Sequence, residues 1–433
     1  MKVCKFGGSS VADAERIKKI AHIITSDSDR KFIVVSAPGK RHGDDKKITD
    51  LLYLCHELAN QDLDIDEPFG VIERRFVQIA DELEVRLDVP GTLATIRDSI
   101  LKKTTVDFAV SRGEYLCARI FAAYIGATFV EAANFVKIRE NGMLDGQTYT
   151  GPFSELDKNN LYVMPGFYGA DSSGGIRVFS RGGSDISGAI AARALGADVY
   201  ENWTDVSGFL MADPNIVDSP KPIRELTYRE VRELAYMGAQ VFHEEAIFPV
   251  YPVGIPINIR NTGIPEDSGT YIIQKRDFSK GVVAGIAGRT GFSLIVIEKM
   301  LMNKELGFGR RLFEILESND VSFEHAPSGI DTMSVIVRDS QLEGKDETIL
   351  EEIKRVLKPD QVEIQNGLSL ISVVGEGMSH QIGIAARLFA ALSSAKVNVK
   401  IIDQGSSEIN ITVGVSEGDF ALAIGAIYRE FHE

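Results

Sequence analysis

The chain has 433 residues, of which 44% are hydrophobic and 25% charged, and its formal net charge is −15. One hydrophobic core rarely serves so long a chain, so two or three domains are expected. The negative charge argues against a nucleic-acid or anionic-membrane partner, because both require a positive field on the protein. A phosphate site must therefore be built locally, from backbone N–H groups and a few placed cations.

The cysteines and histidines give no sign of a disulfide framework or a metal site. Cys4, Cys55 and Cys117 are far apart and form no CxxC pair, which suits a reducing compartment. No two of the seven histidines have metal-ligand spacing, so the metal ligands remain unknown. We expect no signal peptide at the strand-like start and no membrane span, and hence a cytoplasmic protein.

Short apolar runs alternate with helical patterns along the first two thirds of the chain. Such runs are typical of strands that are buried on both faces of a parallel sheet. They are Val3–Phe6, Phe32–Val35, Phe129–Val130, Leu161–Met164, Val178–Phe179, Val199–Tyr200 and Ile257–Ile259. Helices are predicted from Ser10, over much of 50–125 as a separate lobe, before Gly196, and after a capping box of Thr227 and Glu230. The alternation predicts an α/β fold with an open, mostly parallel sheet sandwiched by helices.

The last third contains an internal repeat with an offset of 76 residues. GFGRRLF from Gly307 matches GIAARLF from Gly383, and SLI from Ser293 matches SLI from Ser369. Each copy reads as strand, glycine-led helix, strand, Gly/Ser turn and strand, so we infer a duplicated module.

This change of architecture near residue 280 gives the predicted domain boundary. We expect a catalytic domain over 1–280 and a tail over 281–433. The first copy in the tail covers about 291–360, and the second covers about 365–433 with a strand from 281–290.

The stretch Lys5-Phe6-Gly7-Gly8-Ser9-Ser10 follows a strand and is predicted to open a helix. Its two glycines let a phosphate approach the backbone, and a helix N-terminus supplies N–H donors. Lys5 is placed at the carboxyl end of a strand, where open α/β sheets bind ligands. A tight turn with a solvated lysine is the alternative, and no P-loop motif is present.

A second stretch of this kind is Ser180-Arg181-Gly182-Gly183-Ser184-Asp185. Arg181 has the fork geometry that clamps a carboxylate, and Asp185 is placed to hold a lysine in position. The structural alternatives are that Ser184 is an ordinary N-cap and Asp185 an acid favoured in a first helical turn.

Three other polar stretches remain, and the first two allow two interpretations each. Ser111-Arg112-Gly113-Glu114 fits a capping box, or Glu114 receives a substrate ammonium group. In Thr204–Gly208, Asp205 accepts ribose hydroxyls, or the loop only bonds its own backbone. The charged loop 39–47 is interpreted as solvated.

Taken together, KFGGSS from Lys5, SRGE from Ser111, RGGSD from Arg181, and TDVSG from Thr204 with ADP from Ala212 resemble the aspartokinases of the amino acid kinase fold. In the tail, Val397-Asn398-Val399 and Gln404–Glu408 resemble the tandem, ferredoxin-like ACT modules of that family. The resemblance covers essentially the whole chain.

The resemblance implies ATP-dependent phosphorylation of the side-chain carboxylate of L-aspartate, with Mg²⁺ accompanying ATP. It assigns transfer of the phosphoryl group to Lys5, Gly7, Gly8 and Asp185. It assigns the aspartate ammonium to Glu114 and the α-carboxylate to Arg181. The remaining substrate-side positions are Ser36, Thr49, Phe167 and Ser184, and the remaining nucleotide-side positions are Ser9, Thr204, Asp205 and Asp213.

Three positions depart from the family pattern, all on the nucleotide side: Leu210, Asn215 and Gln240. They leave the ATP contacts open and motivate one alternative, a catalytically silent amino-acid sensor. The other alternative is a kinase of the same fold that acts on glutamate, acetylglutamate or carbamate. A carboxylate of pKa about 3.9 needs no general base at neutral pH, so catalysis is expected to rest on positioning and charge stabilisation.

The tail is predicted to sense an end product of the aspartate pathway, with lysine as first choice and threonine as second. The regulatory positions are Gly307, Phe308, Glu324, Ser328 and Asp331, where helix-start N–H groups and two acids would receive an amino acid. Pairing of ACT modules implies a homodimer or homotetramer.

Overall fold

The computed structural model describes residues 1–179, 182–239 and 241–432, with Lys280 described by its backbone alone. The chain divides into two compact units. Unit 1 comprises Met1–Phe209, Pro222–Val231 and Val241–Arg276, and unit 2 comprises Leu210–Lys221, Arg232–Gln240 and Asp277–Glu433. The sequence did not indicate that two short segments before residue 277 belong to the second unit.

Unit 1 is built on an eight-stranded sheet with the strand order β3-β4-β2-β1-β7-β9-β10-β8 and a two-stranded β5-β6 ribbon. The strands are β1 (Lys2–Phe6), β2 (Arg30–Val35), β3 (Thr128–Phe129), β4 (Tyr162–Pro165), β5 (Tyr168–Ala170), β6 (Ile176–Val178), β7 (Val199–Thr204), β8 (Glu225–Thr227), β9 (Ile257–Asn261) and β10 (Thr270–Ile273). All neighbouring pairs of the large sheet are parallel except β9 and β10. The predicted open, mostly parallel sheet is confirmed.

Helices cover both faces of this sheet. They are α1 (Ala14–Thr25), α2 (Ile48–Asn60), α3 (Asp66–Glu82), α4 (Val89–Leu101), α5 (Val106–Ile125), α6 (Ala132–Phe135), α7 (Gly183–Leu195), α8 (Tyr228–Tyr236, divided between the units) and α9 (Ile247–Val250). Helices α1–α5 share one core with Cys4, Phe6 and Trp203. The separate lobe predicted over residues 50–125 is therefore wrong, because the apolar faces of α2–α5 pack into the core of the sheet.

The buried carboxylate of Glu201, on β7, binds side chains from neighbouring strands of the sheet. It accepts hydrogen bonds from Arg30 Nε at 2.8 Å and from Trp203 Nε1 at 2.9 Å. Lys2 Nζ lies 3.4 Å away, and Arg260 stacks over the Trp203 ring at 4.6 Å. Burial alone would raise the pKa of Glu201, but its bonds with Arg30 and Trp203 hold it below its usual range.

Unit 2 contains a five-stranded antiparallel sheet in the order β12-β11-β13-β15-β14, packed with helices. Its elements are β11 (Gly285–Glu298), α10 (Phe308–Ser318), β12 (Thr332–Arg338), α11 (Asp339–Leu342), α12 (Asp346–Leu357), β13 (Gln361–Val374), α13 (Ile384–Ser394), β14 (Val399–Asp403), β15 (Asn410–Ser416) and α14 (Phe420–Phe431). The predicted α/β domain with a ferredoxin-like tail is thus the observed fold class.

The two copies of the repeat share this sheet through their longest strands. Helices α10 and α13 start and end 76 residues apart, as the sequence offset requires. The first half of β11 pairs with the end of β13, and its second half pairs with both β12 and β13. Only isolated bridges, at His325 and Ser328, stand where the first copy was expected to have a strand like β14.

Candidate active site

Lys5 lies at the carboxyl end of β1 and is held by a carboxylate from α7. Its Nζ is 2.5 Å from Asp185 Oδ1, and the side chain amide of Asn202 donates to the same oxygen at 2.7 Å. Tyr200 Oη donates to the Asp185 carbonyl at 2.9 Å. Since Lys5 is only 7% exposed, it is not the solvated lysine of the alternative interpretation.

The turn after β1 brings two backbones into direct contact. Gly39 N–H donates to Gly8 O at 2.9 Å, and a Cβ added to Gly8 would lie 2.9 Å from Ala37 O. Only glycine fits there, because any side chain would push these segments apart. The turn thus exposes backbone at the strand ends, as a phosphate site requires.

The helix expected to begin at Ser10 begins later. A single 3₁₀ turn, Gly8–Val11, follows the glycines, and α1 starts at Ala14 with Asp13 as its N-cap. Asp13 accepts from Arg16 N–H at 2.9 Å, whereas Ser10 Oγ contacts Thr262 Oγ1 at 3.2 Å. The prediction of a helix dipole at this turn is wrong. Gly7 and Ser10 N–H already donate to Trp203 O and Gly7 O at 3.2 and 3.0 Å, so the N–H groups of Gly8 and Ser9 are the candidates for a phosphate.

The second glycine turn leads directly into a helix. Gly182 is the N-cap of α7 with φ 78°, and as a glycine it has no side chain with which to cap the first turn. Ser184 is 8% exposed inside that turn, so it is not the predicted alternative N-cap. The positive end of α7 therefore stays available to an anion. Ser180 and Arg181 lie outside the described residues.

Phe167 follows β4 in a left-handed conformation, with φ 78°. Its N–H donates to Ser187 Oγ at 3.0 Å, and its carbonyl accepts from Phe179 N–H at 2.8 Å. A non-glycine residue in this region costs about 1–3 kcal/mol and is typical of functional sites. These two hydrogen bonds fix Phe167 beside the start of α7.

Glu114 lies in the middle of α5, where the predicted capping box cannot form. The N-cap of this helix is Thr105, which bonds Phe108 N–H at 3.3 Å. The Glu114 side chain is 4% exposed, and its Oε2 has no hydrogen-bond partner among the described residues. Burial raises the pKa of this carboxyl to about 8, although the Ala37 backbone and Arg112 act in the opposite direction. A buried acid with an open oxygen is suited to receive a cation.

The other predicted substrate-side residues follow β2. Ser36 N–H donates to Phe6 O at 3.1 Å, and Thr49 lies in the first turn of α2. Loop 39–47 connects them, and its interpretation as solvated is wrong in one respect. Asp45 is buried and binds Arg75 Nη2 at 2.6 and 2.7 Å, so the loop is anchored to α3. The anchor could not be read from the charge run itself, because Arg75 is 30 residues away.

A cavity of about 280 Å³ opens on the predicted nucleotide side. Ser9 and Asp205 line it together with residues that the sequence analysis missed, which are Ser10, Arg16, Lys19, Asn261, Thr262 and Gly263. Asn261 ends β9, and Thr262 N–H donates to Thr204 O at 2.9 Å. The rule that ligands bind at carboxyl ends of parallel strands would have pointed to these residues.

Asp213 lies in unit 2 and is not among the residues that line this cavity. Its Oδ1 accepts from both the backbone N–H and the side chain amide of Asn215 at 2.9 Å. Leu210 also belongs to unit 2, and Gln240 lies outside the described residues.

The predicted regulatory residues lie around the start of α10. Gly307 is its N-cap with φ 74°, and the Phe308 side chain is buried. Ser328 is bridged to Met333 in a turn, and Asp331 Oδ1 accepts from Leu301 N–H at 2.8 Å.

The Glu324 side chain is bound by two other residues of unit 2. It binds Arg338 Nε at 2.6 Å and accepts a hydrogen bond from the Tyr236 hydroxyl. Both predicted acids of the tail, Glu324 and Asp331, therefore already have partners.

The described residues contain no group of three or more His, Cys, Asp or Glu side chains arranged to hold a metal ion. Among those same residues, no helix is both long and apolar enough to cross a membrane.

The sequence matches two family models. The amino acid kinase family covers residues 1–261, and the ACT domain covers residues 371–431. Aspartokinase 3 of Bacillus subtilis is 41% identical over 100% of this chain and 98% of its own length. The chloroplastic aspartokinase 1 of Arabidopsis thaliana is 30% identical over 100% of this chain and 80% of its own length.

Solved structures agree with this relationship. The aspartate kinase of Clostridium acetobutylicum is 47% identical, covers 100% of both chains and superposes with a TM-score of 0.97. E. coli aspartokinase III, in a complex with lysine and aspartate, shares the fold at 23% identity and a TM-score of 0.80. On the strength of its full-length matches and its two-part architecture, the chain belongs to the aspartokinases within the amino acid kinase family and is a phosphotransferase.

Proposed function

We propose that the protein transfers the γ-phosphoryl group of ATP to the side-chain carboxylate of L-aspartate, producing 4-phospho-L-aspartate. This is the first step towards lysine, threonine and methionine. The observation that carries the proposal is the pairing of Lys5 with Asp185, 2.5 Å apart at the end of β1, in a chain of this family. The three free, buried cysteines favour a reducing cytoplasm.

Aspartate is held by its α-groups. The open oxygen of Glu114 receives the ammonium group, and Arg181 binds the α-carboxylate in a bidentate manner. Ser36, Thr49, Phe167 and Ser184 complete the substrate side. An acidic and a basic group together select an α-amino acid, and the side-chain carboxylate is left free to react with the phosphate.

The reaction is a displacement at phosphorus. A carboxylate oxygen of aspartate attacks the γ-phosphorus, the bond to the β,γ-bridging oxygen breaks, and ADP leaves with the electron pair. The nucleophile is already ionised, so the protein has to offset the repulsion between two anions. Lys5 supplies positive charge there, and Asp185 with Asn202 keeps its ammonium group in place.

ATP brings Mg²⁺ as part of the co-substrate. The carboxylate beside Lys5 is that of Asp185, and it is already bound by Lys5 and Asn202. Mg²⁺ would therefore be held by phosphate oxygens and water. Bound in this way, Mg²⁺ neutralises phosphate charge. Ser9, Thr204 and Asp205 contact the nucleotide, with the cavity beside β9 as its binding site, and Asp213 is a further candidate.

The tail senses an end-product amino acid, with lysine as first choice and threonine as second. The related E. coli aspartokinase III has been solved with lysine and aspartate bound. Gly307 provides no side-chain cap for α10, so N–H groups of its first turn are offered to an α-carboxylate, although Phe308 N–H also donates to Glu305 O at 3.4 Å. Ser328 and Asp331 are further contacts of this proposed site. Because Glu324 is already bound by Arg338 and Tyr236, lysine competes with these two donors for its carboxylate.

The tail also carries the contacts of a homodimer or homotetramer. Four apolar side chains around the start of α10 are exposed: Met300 by 75%, Leu301 by 57%, Leu306 by 93% and Ile330 by 69%. An apolar group of this size is typical of protein–protein contact. A second copy of the tail is the occupant that we expect.

A coupled ADP-release assay tests the proposal. The purified chain should turn over L-aspartate with ATP and Mg²⁺, and should be inactive with glutamate, acetylglutamate and carbamate. Turnover of one of these substrates instead would indicate another kinase of the fold. Inactivity with all four, in a folded protein that still binds lysine or threonine, would indicate a silent sensor. Adding lysine or threonine to the aspartate assay then identifies the effector.

A further inference from the structure

A cavity of about 410 Å³ lies between α4 and α5 and shares no lining residue with the sites described above. Two arginines, Arg112 and Arg119, face it from α5. Hydroxyl groups of Thr92, Thr95 and Ser99 line it from α4. The cavity therefore combines two cations with hydroxyl groups in a protein whose net charge is −15.

Arg112 is a buried cation, and the described residues give it no ion pair with a carboxylate. It is 7% exposed, and its Nε and Nη2 both donate to one hydroxyl, Ser111 Oγ, at 3.2 and 2.9 Å. Its guanidinium stacks on three rings, with the centroids of Phe108 and Tyr115 at 4.5 and 4.6 Å. Within the described ranges no salt bridge reaches Arg112, although a buried charge is normally paired.

Arg119 has similarly weak partners. Its Nη1 donates to Tyr115 Oη at 3.2 Å and to Thr92 Oγ1 at 3.5 Å, and the described residues provide no salt bridge for it. The acid in the cavity lining is Asp88, whose Oδ1 caps α4 by accepting from Gly91 N–H at 2.8 Å. Two guanidinium groups consequently face the cavity, and one oxygen of the lining carboxylate is engaged in capping α4.

We propose that this cavity binds a small oxyanion, a carboxylate or a phosphoryl group, between Arg112 and Arg119. A guanidinium presents parallel N–H donors that match two oxygens of such a group. The hydroxyls of Thr92, Thr95 and Ser99 donate to backbone carbonyls one turn earlier at 2.8, 3.0 and 2.9 Å, so the two guanidinium groups supply the donors to the ligand. Ile96 and Phe108 supply an apolar wall for a short carbon stem. The ligand occupies one side of α5, the helix that carries Glu114.

Calorimetric titration of the full-length protein tests this site, with inorganic phosphate and succinate as separate probes at constant ionic strength. We expect one probe to bind, and Arg119→Gln and Arg112→Gln each to weaken binding about tenfold or more, since each removes a charge-assisted hydrogen bond. Arg86→Gln is the matched control, because Arg86 is exposed and does not line the cavity. The probe that binds more tightly identifies the oxyanion as phosphoryl or carboxylate.

The Lys5→Ala variant distinguishes binding in this cavity from binding in the catalytic cleft. Binding that survives Lys5→Ala and is weakened by Arg119→Gln supports the proposal, whether or not the kinase assignment holds. Binding that is lost in Lys5→Ala and retained in Arg119→Gln overturns it, because the anion then occupies the phosphate turn. Absence of binding for both probes at millimolar concentration also overturns it. Arg119 is partly exposed, so its variant remains a valid test if Arg112→Gln does not fold.

Discussion

Glu114 in unit 1 and Glu324 in unit 2 are both predicted to receive an ammonium group, and their surroundings are opposite. Glu114 is buried with one oxygen left open, whereas Glu324 is bound by Arg338 and by the Tyr236 hydroxyl. The first acid has an oxygen ready for a ligand, whereas a ligand of the second competes with donors that are already bound. A substrate site prepared in advance favours binding at low concentration, whereas an occupied site couples binding to a change of partners.

The largest effect is expected from Lys5→Ala, which removes the ammonium group paired with Asp185 in unit 1. Removing this charge should lower kcat by about a hundredfold or more, because it stabilises charge in the transition state. Lys18→Ala is the matched control, since Lys18 lies exposed on α1 and pairs with Glu15 in the same helix. Near-normal turnover by the folded Lys5→Ala protein would contradict the assignment.

Glu114→Gln tests the open oxygen directly. It should raise the KM for aspartate by roughly tenfold to a hundredfold and leave nucleotide binding unchanged, because only the ammonium contact is lost. Steady-state kinetics with either substrate varied separate the two effects. An unchanged KM for aspartate would assign Glu114 a structural role.

The raised pKa of Glu114 also predicts a pH dependence. Its pKa is about 8 in the folded protein and 4.5 by reference, so between these values the folded state keeps a proton that the unfolded chain has released. Its contribution to the free energy of unfolding should fall by up to about 1.4 kcal/mol per pH unit across this window, and level off above it. Melts of the unliganded protein from pH 5 to about 9 should show a shallower decline for Glu114→Gln. Parallel curves for the two proteins would contradict the prediction.

Glu324→Gln tests the occupied acid. If lysine binds by replacing Arg338, this change should raise the lysine concentration for half inhibition about tenfold and leave kcat without lysine unchanged. Glu343→Gln, in the same unit, is a suitable control. Full inhibition of the Glu324→Gln protein by lysine would place the effector elsewhere.

The smallest effect is expected from Tyr236→Phe, which removes one competing donor from Glu324 and keeps the ring. Lysine should then inhibit at a concentration lower by a few-fold, because less interaction has to be exchanged. Inhibition curves of the variant and the unchanged protein, measured side by side, provide the test. A weaker response to lysine would mean that the hydroxyl helps to hold the effector.

Local patterns in the sequence determined the features that depend on neighbouring residues. The capping box of Thr227 and Glu230 forms as predicted, with reciprocal bonds of 2.9 and 3.1 Å, because both partners lie in one turn. The repeat offset reappears in α10 and α13, since each glycine starts its helix by its own backbone conformation. The alternation of buried strands and helices likewise led to the correct fold class.

The tertiary structure decided which of several competing local signals prevailed. Ser111 and Glu114 have capping-box spacing, but Thr105 starts the helix earlier and leaves Glu114 in its interior. The sequence predicted Asp45 to be a solvated acid in a charged loop. In the structure Asp45 is buried and bound by Arg75 of α3. A carboxylate becomes a cap, an anchor or an open binding group according to the partner that the fold brings within about 3 Å, and sequence spacing alone does not show that partner.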